Sequence, residues 1–360
     1  MPGVIDCDAH IDETEATWEF IREAEREFTP QPDAPKVLDP NRPPIRYWLI
    51  DGHRQPRLHR DDKRTHTTVE TRELLDPMAR VRHMDQLGTE VQVLYPTMFL
   101  VGITDKSEAE VAVKRAYNRW LADRCQQTAG RLRWICLPPF TDIDAALEEI
   151  RFAKENGAAG ILKKGDAEAD HWIAEEYFHP IYEECQKLNL PVCIHTGAGT
   201  PDHTGSRLFE HVRFYRQGLS PLNAFTSLTR FNIPARFPEV RWGFIEAGAS
   251  WIPYLVYNIF RSQGRGRSGT GEGEYRYDEP SDVMRLNNFW VTCQVDEDLP
   301  YLLNYIPEDR FLVGSDYTHA DLAQELDFPK LLQQRADRGE IPQSAVQKMI
   351  HDNGKAFYGL

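Results

Sequence analysis

The chain has 360 residues, 41% hydrophobic and 27% charged, so it carries enough apolar material for a large core. Its 56 acidic residues outnumber 42 basic ones for a net charge of −14, which disfavours nucleic acid or an anionic membrane as partner. No apolar run approaches the roughly 18 residues of a membrane span, MPGVIDCDAH does not read as a secretory leader, and six scattered cysteines without a C-x-x-C pair read as reduced thiols in a cytoplasmic protein.

Along the chain, eight short runs rich in β-branched and aromatic residues are predicted strands. They are Val4–Cys7, Glu90–Tyr95, Arg133–Leu137, Ala159–Leu162, Pro191–Ile194, Val240–Ile245, Phe289–Gln294 and Arg310–Gly314. Amphipathic stretches lie between them. Ser107–Gln127 has Ser107 and Glu110 at capping-box spacing, and Ile143–Asn156 follows the N-cap candidates Thr141 and Asp142 and stops at Gly157. Gly165 to Leu190 repeats the order of turn, helix and next strand. Strands alternating with helices pair in parallel, and eight units predict a closed (β/α)8 TIM barrel.

Three segments interrupt the alternation, as long insertions after the first, fifth and sixth strands. Residues 11–80 hold a proline-bearing polar insertion with a His/Arg/Asp-rich stretch, Asp51–Thr67; residues 196–238 hold a second excursion. Residues 263–280, rich in glycine from Gly264 to Gly273, read as a mobile loop. They lack the strand-to-helix context of a nucleotide-binding G-x-G-x-x-G. None has a core of its own, so residues 1–360 read as one domain with residues 11–80 as its lid.

Active-site groups of a parallel barrel come from the C-terminal ends of its strands. The first run leads into Asp8 and His10, which share a face by the two-residue pleat, while Cys7 points away and reads as packing. The fifth ends at His195, the sixth at Glu246 and the eighth at Asp316. An ionisable group directly after a buried run is costly unless paired or metal-bound. Four such strand ends in one barrel point to a metal site of carboxylates and imidazoles. Without a thiolate the set suits Zn, Mn or Fe, as one or two ions.

The motifs D-x-H, C-I-H-T-G, E-A-G-A-S-W and G-S-D-Y-x-H, with the closing H-D-N-G-K-A-F-Y-G-L, resemble the amidohydrolase superfamily over essentially the whole chain. The branch in view contains aminocarboxymuconate-semialdehyde, γ-resorcylate and 5-carboxyvanillate decarboxylases. The resemblance implies a divalent metal at Asp8, His10, His195 and Asp316, proton handling by Asp316, and a homodimer.

Two departures bear on the reaction. Those decarboxylases carry His where this chain has Glu246, and a carboxylate there suits a second cation while opposing an anionic substrate. Lys163 and Lys164 end the fourth strand, where binuclear members of the superfamily carboxylate a lysine to bridge two metals; either lysine fits that role, or both are simply solvated. The expectation is therefore a metal-dependent hydrolase attacking an acyl group (amide, ester, lactone or thioester) of a small molecule. The alternative is nonoxidative decarboxylation of an aromatic or unsaturated acid, and a third reading is an inert barrel used as a binding module.

Around this centre, His319 follows Asp316 by three and is a second catalytic candidate. Arg54, Tyr317 and Trp251 are expected to meet substrate, with Tyr95 and Tyr254 as further aromatic walls. His53, His59 and His66 among Arg54, Arg57, Arg60 and Arg64 form a cluster able to receive an anion. His203 and His211 lie on the second insertion.

Overall fold

A computed structural model describes residues 3–36, 45–57, 60–197, 218–262 and 277–360. Its strands are β1 (Val4–His10), β2 (Gln31–Lys36), β3 (Ile45–Ile50), β4 (His53–Arg57), β5 (Thr89–Tyr95), β6 (Leu132–Cys136), β7 (Ala158–Lys164), β8 (Val192–His195), β9 (Trp242–Ile245), β10 (Phe289–Thr292) and β11 (Phe311–Leu312). Eight of them form one sheet in the order β1-β5-β6-β7-β8-β9-β10-β11. Every pairing in it is parallel. The backbone after β11 returns to β1 through Cys7 N to Val313 O (3.0 Å), Asp316 N to Asp8 O (2.9 Å) and His10 N to Tyr317 O (2.9 Å). This is the (β/α)8 barrel, and each of the eight predicted runs supplies one of its strands. Gly314 permits the seam, because a Cβ there would lie 2.3 Å from Asp8 Cβ.

Helices α1 (Pro77–Leu87), α2 (Ser107–Gln126), α3 (Ile143–Glu155), α4 (His179–Leu188), α5 (Leu219–Arg230) and α6 (Ile252–Ser262) lie between barrel strands. Local chemistry sets several of their ends. Asp76 caps α1 through Met78 N, with Pro77 in the first turn and Gly88 closing at φ 72°. Asp142 caps α3 through Ala145 N. Asn189 ends α4 in the left-handed region. The capping box expected at Ser107 and Glu110 does not form: Lys106 is the N-cap and makes no side-chain cap bond. Glu110 instead receives Thr141 N (2.9 Å) and Oγ1 (2.6 Å) and pairs with Lys114 (2.6 Å). A tertiary partner outbids the local one.

The core fills the barrel and the layer between strands and helices, where Trp134, Tyr182, Trp242 and Phe244 are fully buried. Each such side chain contributes on the order of 2–3 kcal/mol. Among residues 11–80 the alternation gives way to a separate antiparallel sheet, β2-β3-β4, which the sequence pattern did not announce. It is fastened to the barrel by Gln55 Nε2 to Gly102 O (2.9 Å) and a Trp18–Trp48 edge contact. Residues 198–217 and 263–276, with His203, His211 and the glycine-rich loop, lie outside the described residues, as does His59.

Candidate metal centre

Four strand ends converge. Asp8 and His10 come from β1, His195 ends β8, Glu246 follows β9 and Asp316 lies beyond β11. Exposures are 3% for Asp8, 0% for His10 and His195 and 2% for Asp316, while the Glu246 side chain is 12% exposed, so the centre is buried in the barrel mouth and open on the Glu246 side. His10 Nε2 lies 3.4 Å from Asp8 Oδ1, 3.4 Å from Glu246 Oε2 and 3.5 Å from Asp316 Oδ1. His195 Nε2 lies 3.5 Å from Asp8 Oδ1 and 3.2 Å from Glu246 Oε2. Bonds of about 2.0–2.2 Å to one ion place neighbouring donors about 3.0–3.6 Å apart, the spacing found here.

The donor atoms also lack other work. Asp8 Oδ1, His10 Nε2, His195 Nε2, Glu246 Oε2, both Asp316 carboxylate oxygens and His319 Nδ1 are buried without a hydrogen-bond partner. Buried polar groups are ordinarily satisfied, so a convergent set of orphans fits a divalent cation. The outer nitrogens are occupied: His10 Nδ1 donates to Pro96 O (2.8 Å) and His195 Nδ1 to Thr196 O (3.1 Å). That leaves each Nε2 lone pair facing inward.

Electrostatics say the same. Burial alone would raise the Asp8 carboxyl, yet the imidazoles of His10 and His195 bring it down to about 2. Burial would lower His10, but the Asp8 and Glu246 carboxylates lift it to about 10. Asp316 is pushed well above the usual carboxylate range by burial and by Glu246 and Asp8. This field rewards any positive charge placed at its centre. The backbone is strained at the same point, with Glu246 at φ 57°, Asp316 at φ 47° and the β-branched Thr318 at φ 84°.

Supporting residues hold the ligands in place. Asp6 sits one pleat below Asp8 and accepts from Ser315 N (2.8 Å), Ser315 Oγ and Gln92 Nε2 (2.8 Å), so it ties β1 to the chain bearing Asp316. Arg80, fully buried, donates to Gln92 Oε1 (2.7 Å) and to His10 O (3.2 Å). Thr97 and Arg60 contact the loop after β11, Thr97 Oγ1 meeting His319 Nε2 at 3.3 Å and Arg60 Nη1 donating to Thr318 O at 3.0 Å. Asp6 shares the face of Asp8 and His10 by the two-residue pleat of β1, whereas Thr97 carries no signal in the sequence.

Other sequence-derived candidates lie elsewhere. Lys163 and Lys164 are the last two residues of β7. They are buried and bound to Glu168, at 2.7 Å and 3.4 Å, so the expectation of a solvated pair gives way to an internal ion pair. Arg54 is exposed on β4 and paired with Asp33. Tyr317 is buried with its hydroxyl on His83 (2.6 Å) and Arg80 over its ring. Trp251 packs edge-on against Phe225 and Phe244 and donates to Gly248 O. None of these three is drawn into the donor cluster. Tyr95 lies beneath it, bound to Tyr358, and Tyr254 is 69% exposed. His53 and His66 are exposed, while Arg60 of the basic cluster donates to the loop that carries His319. Cys7 packs against the C-terminal helix region, its sulfur beside Gly354.

A convergent Asp/His/Glu centre at the C-terminal ends of a parallel barrel defines a metal-site enzyme scaffold. The chain belongs to the amidohydrolase family, whose model matches residues 5–360. It is 24% identical over 298 residues to a γ-resorcylate decarboxylase of Rhizobium sp. (strain MTP-10005), covering 76% of this chain and 87% of that one. The fold is shared with an amidohydrolase from Mycobacterium avium subsp. paratuberculosis K-10 at a TM-score of 0.72, 18% identity and 99% coverage of both chains. It is shared as well with a dihydroxybenzoic acid decarboxylase from Polaromonas sp. JS666, which holds manganese and the inhibitor 2-nitroresorcinol, at a TM-score of 0.68, 18% identity and coverage of 100% and 98%. The two decarboxylases among these overturn the hydrolase expectation drawn from Glu246, because the activity each is named for is a decarboxylation. The error was to read one carboxylate as deciding the reaction, when charge at a metal centre depends on the whole ligand set. Among the described residues no helix is long and apolar enough to cross a membrane.

Proposed function

We propose that this chain is a divalent-metal-dependent nonoxidative decarboxylase of a small aromatic or unsaturated carboxylic acid. The observation that carries the reading is the convergent set of orphaned donors on Asp8, His10, His195, Glu246 and Asp316, on a chain whose relative is a decarboxylase. The reaction replaces a C–COO⁻ bond by C–H and releases CO2, consuming one proton and no oxidant or reductant. A bound cation, manganese being the ion in the Polaromonas enzyme, supplies charge stabilisation for substrate oxygens.

This chain's residues supply the rest. Asp316 and His319 lie at the mouth with their polar atoms 2.6 Å apart, placed to hold and pass the proton that replaces the carboxyl group. Arg60 is anchored by Asp12 (2.8 Å) and Thr318 O while its Nη2 has no partner, which leaves a donor for an anionic substrate group. The chain works as one domain, with residues 11–80 over the catalytic face, and as a homodimer in the cytoplasm.

The test is CO2 release from a panel of ortho-hydroxylated benzoic acids by the manganese-loaded protein, before and after chelation. Release that chelator abolishes and manganese restores is the expected result, with Arg60→Ala raising KM more than it lowers kcat. A metal-loaded, folded protein that releases no CO2 from any aromatic or unsaturated acid would falsify the reading.

A further inference from the structure

The seventh barrel strand, β10, sends no residue into the donor cluster among the described residues. What it supplies lies behind Glu246. Thr292 ends β10, and Glu246 N donates to its Oγ1 at 2.8 Å while that hydroxyl donates to Phe244 O at 3.3 Å. Five residues further on, the Glu297 carboxylate closes its own turn by accepting Gln294 N at 2.8 Å. The same carboxylate reaches across to the chain that follows β9, where it accepts Ala249 N (2.9 and 3.0 Å), Ser250 N (2.7 Å) and Ser250 Oγ (2.5 Å). Ala249 and Ser250 lie directly before α6, and Ile252 N donates back to Ala249 O at 3.0 Å. A carboxylate on the amides that open a helix is favourably placed.

The loop between these anchors needs holding. Glu246 sits at φ 57° and Gly248 at φ 62°, and a residue with a side chain keeps the left-handed conformation only where its surroundings over-determine it. A Cβ on Gly248 would lie 3.1 Å from Glu297 Oε1, so the loop runs close against that carboxylate. Glu246 is also the donor that burial restrains least, its side chain being 12% exposed against 4% or less for Asp8, His10, His195 and Asp316. We propose that Thr292 and Glu297 are positioning residues of the metal centre. Thr292 fixes the backbone at Glu246 and Glu297 fixes it three and four residues later, so that Glu246 Oε2 stays at donor spacing from His10 and His195. Neither residue is itself a donor to the ion; both act through Glu246. The inference rests on the reading of Glu246 as one of the donors to a catalytic cation. It gives β10 a task in the reaction, and it separates that task from the plain capping of α6, which would affect the fold and leave the cation alone.

The experiment is isothermal titration of manganese into the metal-stripped full-length protein, run as a double-mutant cycle. Thr292→Val keeps the shape of the side chain and removes the acceptor for Glu246 N; it is expected to weaken manganese binding by roughly 10–100-fold, as loss of an outer hydrogen bond does. Thr292→Ser is expected to restore it, and Glu297→Gln to cause a loss of the same order. In a Glu246→Gln background neither Thr292→Val nor Glu297→Gln should weaken binding further, because the carboxylate they position is gone. The threonine pair carries the test should Glu297→Gln fail to melt cooperatively. Affinities unchanged from wild type in Thr292→Val, or losses equally large with and without the Glu246 carboxylate, overturn the assignment. Coupled losses of affinity in a protein that releases no CO2 would remove the reaction and keep the positioning role; unchanged affinity in variants that still release CO2 would do the reverse. A wild type that binds no manganese overturns both.

Discussion

Two ionisable clusters are buried at the strand ends of this barrel, and they obey opposite rules. At the end of β7, Glu168 receives Lys163 Nζ at 2.7 Å, Lys164 N at 3.0 Å and Lys164 Nζ at 3.4 Å, while Lys114 Nζ bonds Glu110 and Pro138 O. Opposite charges meet one another there, and no titratable atom of the group is orphaned. At the ends of β1, β8, β9 and β11, carboxylates and imidazoles crowd together with their donor atoms turned to shared points and bound to nothing else. Burial and charge density do not separate the two clusters. Satisfaction does: a self-compensated cluster holds the fold, and a convergent unsatisfied one awaits a ligand.

The sharpest way to break that contrast is to neutralise one member of each cluster. Asp316→Asn is expected to lower decarboxylation by roughly 10²–10⁴-fold, the usual worth of a positioned acid or base. Its melting temperature in chelator should hold or rise, because the carboxylate removed is buried and uncompensated. A clear fall in that temperature would show that Asp316 supports the fold and would dissolve the contrast.

Glu168→Gln should act in the opposite sense. It removes the carboxylate that both buried ammonium groups bind, at a cost of about 3–5 kcal/mol, with metal content per chain unchanged. The pH dependence carries the same signature. Burial would raise Glu168, but Lys163 and Lys164 hold it at about 2, below its ordinary 4.5. The group's contribution is therefore whole above about pH 4.5 and fades as pH falls towards 2. Urea unfolding of wild type and variant across that window should show the difference shrinking; a constant difference would mean the carboxylate is not what stabilises.

Asp6→Asn sharpens the comparison at its smallest scale. Asp6 is a satisfied carboxylate inside the unsatisfied cluster's support, binding Ser315 and Gln92. Its loss should weaken manganese binding about 10–100-fold by loosening Asp8 and Asp316. Isothermal titration should find the ligand set intact and the affinity reduced; unchanged affinity would exclude Asp6 from positioning the site.

The eight strands, the capped start of α3 and the four strand ends bearing Asp8, His10, His195, Glu246 and Asp316 were all legible in the residues. Their signals are local: a two-residue pleat, a cap three residues from its target, a charge placed after an apolar run. Residues whose meaning depends on a distant partner were not legible. Glu110 looked like half of a capping box and is claimed by Thr141 and Lys114. Lys164 runs in register with His195, yet its ammonium turns to Glu168. Thr97 gained its role only when the barrel brought it to His319, and Arg60 only when it was brought to Thr318. Sequence by itself determined the barrel and which groups could reach its mouth, because backbone periodicity and the cost of burying charge act residue by residue. Tertiary structure alone decided which of those charges compensate one another and which remain free for a metal, because a buried charge is defined by the neighbour that closure of the barrel supplies.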